Sequence, residues 1–295
     1  MNNTIRNSLT LTALCAALAG CGTSSSDGSG QLTLSLTDAP VTSLQSVSVT
    51  ITGVSLKPAS GDTLTYTFEE PKTLDLLQLQ GGETALLLND VTVPAGAYNW
   101  LRLAVDSDNL SVTETGGALK TLKIPSGAET GLKLVKGFTV AQGGSSAFTI
   151  DFDVRKSIVD PTGNSADYFL KPVLRLVDNL QVGSVAGTVT GELISAACAD
   201  SNIYAGMVYV FSGADATADD LGSSSEPLVA VPVVYDAETT TYQYSAAFLE
   251  VGDYSLSYSC DADDNEQDEA LTFTAVQNAS VTQGDTTGVN FDLAL

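Results

Sequence analysis

Histidine does not occur once in the 295 residues. Its absence excludes a histidine-based triad, a histidine general base and the usual histidine-bearing zinc site. Basic side chains are scarce: 12 Lys and Arg stand against 35 Asp and Glu, a formal net charge of −23. From Gly183 to Leu295 there is no Lys or Arg at all, against 18 acids. A surface of that sign repels nucleic acid and anionic headgroups and excludes a nucleic-acid partner. Tryptophan occurs once, at Trp100, which is thin material for a sugar-stacking surface. No Gly-rich phosphate loop is present, and Lys156-Ser157 is no nucleophile motif. No apolar run reaches the about 20 residues that a membrane-spanning helix needs.

What is present begins with a short apolar stretch, Leu9 to Leu18, behind the lone charge Arg6. A positive start and a short apolar run read as a secretory signal. Leu18-Ala19-Gly20-Cys21 then resembles the lipobox of bacterial lipoproteins. The resemblance implies cleavage before Cys21, acylation of its thiol and anchoring through several acyl chains. Each buried methylene of such a chain contributes about 0.8 kcal/mol. Gly22, rather than Asp, follows the cysteine, and the lipoprotein resemblance therefore implies the outer membrane. Gly22 to Gly30, "GTSSSDGSG", reads as a flexible leash.

Charge divides what remains. Without residues 1–20 the chain holds 11 basic and 35 acidic residues, a net charge of −24. Residues 21–182 account for −6 of it and residues 183–295 for −18. The expected organisation is a signal peptide at 1–20, a tether at 21–30, a near-balanced domain at 31–182 and an acidic domain at 183–295. Of the four cysteines, Cys15 leaves with the signal and Cys21 carries lipid. Cys198 and Cys260 remain and are expected to pair in an oxidising compartment.

Both parts read as strands. "QLTLSL" alternates Leu32, Leu34 and Leu36. "VSVTITGVSL" alternates Val47, Val49 and Ile51, then changes phase at Gly53 to Val54 and Leu56, as at a bulge. "AFTIDFDV" places Phe148, Ile150, Phe152 and Val154 on one face and Asp151 and Asp153 on the other. The best helix candidate, Thr73 to Gln80, is short and reads equally as a strand. Many short strands punctuated by Gly, Asn, Asp and Pro predict an all-β protein of two tandem β-sandwiches.

The motifs "SLTDAPVTSLQSVSVTITGVSLKP", "VTVPAGAYNWLRLAVD", "KIPSGAETGLKLVKGFTVAQGGSSAFTIDFDVRKS" and "YFLKPVLRLVD" occur in that order. Together they resemble the bacterial domain-of-unknown-function family 4382, over about Gln31 to Leu180. The resemblance implies a β-rich, extracytoplasmic protein and carries no activity with it. In the second part, "GSVAGTVTG", "AGMVYVFSG", "AAFLEVGDYSLSYSCD" and "VTQGDTTGVNFDL" resemble the transthyretin-like regulatory module of carboxypeptidases. The parts also echo each other: Pro94-Ala95-Gly96-Ala97-Tyr98 against Val251-Gly252-Asp253-Tyr254, and "VAQGGSSAFTIDFDV" against "VTQGDTTGVNFDL".

Candidate chemistry is sparse. Asp261, Asp263, Asp264, Glu266, Asp268 and Glu269 crowd one stretch, where a calcium ion would relieve their repulsion. The stretch starts like an EF-hand loop and then departs from it, with Glu266 where Gly is needed and Thr272 where a bidentate Glu is needed. A looser calcium site drawn from Asp261, Asp263, Asp264, Glu266 and Asp268 competes with a solvated acidic tip. Asp215, Asp219 and Asp220 form a second acidic stretch. Tyr98 with Trp100 on one strand face, and Tyr242 with Tyr244, are candidates for stacking on sugar. Glu69 with Glu70, or Asp151 with Asp153, are the pairs a glycosidase would need. The expectation is a non-catalytic, lipid-anchored outer-membrane protein that binds, adheres or assembles at the envelope. Its partner would be a glycan or another envelope protein. A calcium-assisted carbohydrate binder comes second and a glycoside hydrolase third.

Overall fold

The computed structural model describes residues 28–38, 44–125, 131–159, 167–199, 204–264 and 267–293. The expected signal peptide, Cys21 and Glu266 lie outside the described residues. The protein is all-β, with two short α-helices among the described residues, Val154–Ser157 and Gly191–Ala197. None of its described helices is long and apolar enough to cross a membrane.

Two sheets are built from residues up to Asp178. The first runs in the order Leu174–Asp178, Ser145–Phe152, Ser29–Asp38, Ala85–Pro94. The second centres on the long strand Leu44–Pro58. One edge of that strand pairs with Leu64–Asp75; the other is shared by Ser111–Glu114 and Gly96–Val105. The register slips between Ile51 and Gly53 against both flanking strands. Val47, Val49 and Ile51 before the slip and Val54 and Leu56 after it are all buried, so the bulge keeps one face inward. Leu32, Leu34, Leu36, Phe148, Ile150 and Phe152 pack from the first sheet into the same core.

Two four-stranded sheets follow. One has the order Val234–Asp236, Thr241–Glu250, Val182–Val189, Thr286–Gly288; the other Val229–Pro232, Met207–Ser212, Gly252–Ser259, Gln277–Val281. Val185, Val189, Tyr244 and Ala246 face Val208, Val210, Leu256 and Val281 across a separate core. A disulfide joins Cys198, at the end of the Gly191–Ala197 helix, to Cys260, just past Gly252–Ser259.

The two halves use one plan. Ser29–Asp38 pairs in parallel with Ser145–Phe152 and antiparallel with Ala85–Pro94. Val182–Val189 pairs in parallel with Thr286–Gly288 and antiparallel with Thr241–Glu250. The echoed Gln-Gly turn carries a left-handed glycine in each half, Gly143 at φ 67° and Gly284 at φ 73°. Their N–H groups donate to Ser29 O and Val182 O, each at 2.8 Å. Close approach also demands glycine on the receiving strand: a Cβ would lie 2.2 Å from Ala141 O at Gly30 and 2.2 Å from Thr282 O at Gly183. The echoed tyrosines match too. Tyr98 donates to Pro94 O and Tyr254 to Glu250 O, each at 2.7 Å and each four residues upstream. The turn glycines differ, since only Gly96 has a positive φ, 123°.

The helix candidate Thr73–Gln80 is divided. It is strand to Asp75, followed by a 3-10 turn over Leu76–Gln78. Asp75 Oδ1 accepts from Val47 N at 3.0 Å and Leu77 N at 3.2 Å, which ends the strand and starts the turn.

Candidate functional site

Charged side chains gather in two places. The first lies where the halves meet. Asp38 ends the first strand, in the inward phase set by Leu32, Leu34 and Leu36, and is 5% exposed. Its Oδ1 accepts from Val154 N at 3.2 Å; its Oδ2 has no hydrogen-bond partner among the described residues. Burial pushes its carboxyl up to about 9, with negative Asp151 and Asp153 adding to the rise and the Val154 N–H and Gln80 opposing it. Asp151 stands opposite Arg175 in the antiparallel ladder. Arg175 donates to Asp151 Oδ2 through Nε at 3.1 Å and a terminal nitrogen at 2.8 Å. Burial raises the Asp151 carboxyl, and Arg175 opposes that rise. The same guanidinium reaches Phe248 O of the second half at 3.4 Å. Phe248 has φ 55°, a conformation that bulky residues rarely adopt, at a register slip between Gly183 and Val185.

Asp153 caps the Val154–Ser157 helix, accepting from Lys156 N at 3.1 Å, and lies 3.6 Å from Arg155. Arg155 is 6% exposed, and its charge also reaches Asp263 of the second half. Lys156 pairs with Glu226, and Lys136 lies 3.7 Å from Glu250. Asp151 and Asp153, one of the two pairs a hydrolase would use, are thereby engaged by N–H groups and guanidinium ions, while the other pair, Glu69 and Glu70, is exposed.

The second place is the pair of acidic loops. The described members of the expected calcium set, Asp261, Asp263, Asp264 and Asp268, do not converge. Asp261 accepts from Thr272 N at 2.5 Å, and Asp264 accepts from Gln267 Nε2 at 2.6 Å. Asp263 accepts from the Tyr209 hydroxyl at 2.8 Å and lies 3.3 Å from Leu221 N. Burial raises the Asp263 carboxyl, and it pushes the Tyr209 hydroxyl up as well, with Asp263 beside it. Each acid has turned to a nearby donor rather than to a common centre. Asp263 feels the charge of Asp220, and of the described members Asp268 joins a cluster with two other carboxylates, those of Asp219 and Asp220. One oxygen from each of these three lies within 4.8 Å of the other two. Asp220 is fully buried, its Oδ2 accepting from Glu269 N at 2.9 Å and Gly222 N at 3.3 Å. Gly222 allows this closeness, because a Cβ there would lie 1.8 Å from Gln267 O.

The aromatic candidates separate. Tyr98 is 2% exposed and stacks on Phe138 with ring centroids 4.8 Å apart. Trp100 is half-buried on the outer face, flanked by Arg102 at 5.2 Å and Lys133 at 4.8 Å. The cause is a register slip in Gly96–Val105: Lys57 faces Trp100, but Pro58 faces Tyr98. That slip turns the tyrosine inward, so the pair presents no common sugar-stacking face. Tyr244 is buried, with its hydroxyl on Val289 O at 2.7 Å, while its neighbour Tyr242 lies 5.0 Å from exposed Tyr235. A groove of 570 Å³ runs along the seam between the halves, and its aromatic wall is that same buried Tyr244.

Sequence reading missed Asp38 and Arg155. The signal for Asp38 was present, an acid where the alternation calls for an apolar side chain. Arg155 had no such signal.

Residues 29–172, just under half of the chain, match the family described as "Domain of unknown function (DUF4382)". No curated protein matches the chain. Among solved structures, a leucine-rich repeat protein from Bacteroides thetaiotaomicron is 13% identical at TM-score 0.22, covering 91% of this chain and 26% of its own. The minor pilin GBS52 of Streptococcus agalactiae is 10% identical at TM-score 0.21, covering 88% and 94%. A fimbrial protein from Bacteroides ovatus is 10% identical at TM-score 0.22, covering 90% and 50%. Overlaps this weak carry no argument about function. The chain spans about a quarter of the first protein's length and half of the last.

Proposed function

We propose that this chain is a lipid-anchored outer-membrane protein whose two units, 31–182 and 183–295, serve a non-catalytic role in binding, adhesion or assembly at the envelope. One observation carries the non-catalytic reading. Asp151, the best-placed candidate acid, is held by Arg175, and the same guanidinium fastens the second half through Phe248 O. A carboxylate paired in this way holds structure in place and is withdrawn from proton transfer to a substrate. Separate sheets and separate cores support the two units, and the two four-stranded sheets of the second are compatible with a transthyretin-like module. The anchor rests on Leu18-Ala19-Gly20-Cys21.

Palmitate labelling of native cells, followed by membrane fractionation, tests the anchor. The expected result is labelled protein in the outer membrane, with label and membrane association both lost in Cys21→Ala. Labelled protein in the inner membrane overturns the location, and unlabelled protein overturns the anchor. Incubation with envelope polysaccharides is expected to release no reducing ends. Release that stops in Asp151→Asn would make the protein a hydrolase.

A further inference from the structure

We propose that Asp219, Asp220 and Asp268 hold a divalent cation, Ca²⁺, between the loop after Met207–Ser212 and the loop after Gly252–Ser259. Three observations meet there. The three carboxyl groups converge from sequence positions 49 residues apart at their widest, with oxygens within 4.8 Å of one another. Asp220 is 0% exposed, and its Oδ1 has no hydrogen-bond partner among the described residues while Oδ2 is engaged by two backbone N–H groups. A carboxylate oxygen cut off from water and left without a donor is a large destabilising term, and a bound cation removes it. The surrounding half of the chain has no Lys or Arg after Gly183, so it has no positive side chain of its own to serve instead. Arg155, drawn from the first half, acts on Asp263.

The donor set selects the ion. Carboxylate oxygens are hard ligands, and oxygens this far apart can reach one Ca²⁺ at about 2.3–2.6 Å, with water completing a coordination shell that tolerates irregular geometry. Asp261, Asp263 and Asp264 are each engaged by their own donors. Binding would tie the two loops across the junction that Gly222 and Gln267 already form.

Calorimetric titration of the chelator-treated, purified full chain with CaCl2 tests the site, with thermal melting alongside. The expected result is one equivalent bound, with Kd on the order of 10⁻⁴–10⁻³ M as in extracellular modules, and a melting temperature that rises with Ca²⁺. Asp219→Asn/Asp268→Asn is expected to weaken binding at least about tenfold, a loss of about 1.4 kcal/mol. Asp261→Asn/Asp264→Asn is expected to bind as wild type. If the first double variant does not fold, as judged by circular dichroism, Asp268→Asn alone serves, since Asp268 is exposed. A folded wild-type chain with neither heat nor a melting shift overturns the site. So does undiminished binding in a folded Asp268→Asn variant, or binding lost with Asp261 and Asp264.

Discussion

At the scale of single residues, Asp38 has the largest consequence. In the unfolded chain its carboxyl titrates near the ordinary value of 3.8, and in the folded protein near 9. Between those values the folded state holds one more proton than the unfolded state, so the free energy of unfolding falls as pH rises. The contribution is complete below about pH 3.8, declines through neutrality and is gone above about pH 9. Asp151 is raised as well and adds to the same slope. The urea midpoint is therefore expected to drop between about pH 5 and about pH 8, and Asp38→Asn is expected to flatten that drop by removing the proton difference. An unchanged slope in the variant would show that Asp38 does not hold its proton when folded. The alternation Leu32, Leu34, Leu36 already pointed Asp38 inward. What the sequence could not reveal is that Asp151 and Asp153 crowd it, because they arrive at and just past the end of a strand more than a hundred residues later.

At the scale of elements, turns and staples matter more than propensity. The tyrosine that donates to a carbonyl four residues upstream occurs once in each half, in each case pinning the start of a strand. Its recurrence was legible because the motif is local: a proline or valine, a glycine and a tyrosine within five residues. The change of phase at Gly53 was legible for the same reason, since a bulge rewrites the apolar alternation on the spot. The phase change between Tyr98 and Trp100 left no such mark, and the two aromatics went to opposite faces. The disulfide acts over a longer range, linking positions 62 apart. Loop-closure entropy assigns such a link about 4 kcal/mol. Reduction, or Cys198→Ala/Cys260→Ala, is expected to lower unfolding stability by an amount of that order, read by urea denaturation with and without reductant. A loss well under about 1 kcal/mol would mean that the Gly191–Ala197 helix holds to its sandwich without the bond.

At the scale of the whole molecule, the seam between the halves is ionic. Arg175 joins Asp151 to the carbonyl of Phe248, and Lys156 and Lys136 pair with Glu226 and Glu250. All three cations come from the half that possesses cations. Arg175→Ala is expected to split a single calorimetric transition into two, as the halves lose their fastener. Lys136→Ala, which removes an exposed pair and a hydrogen bond to Leu176 O, is expected to lower stability by about 1–2 kcal/mol without splitting the transition. One undivided transition in Arg175→Ala would place the coupling elsewhere. The sequence by itself determined the strands, their inward faces, the bulge at Gly53, the two cysteines left to pair and the imbalance of charge. These are properties of neighbours along the chain, where a period of two residues decides which side chain is buried. Only the tertiary structure decided which acids meet: Asp38 with Asp151, and Asp268 with Asp219 and Asp220. Those encounters join loops and strand ends far apart in sequence, and no local period encodes them. Strand pairing and the close approach at Gly222 bring them together.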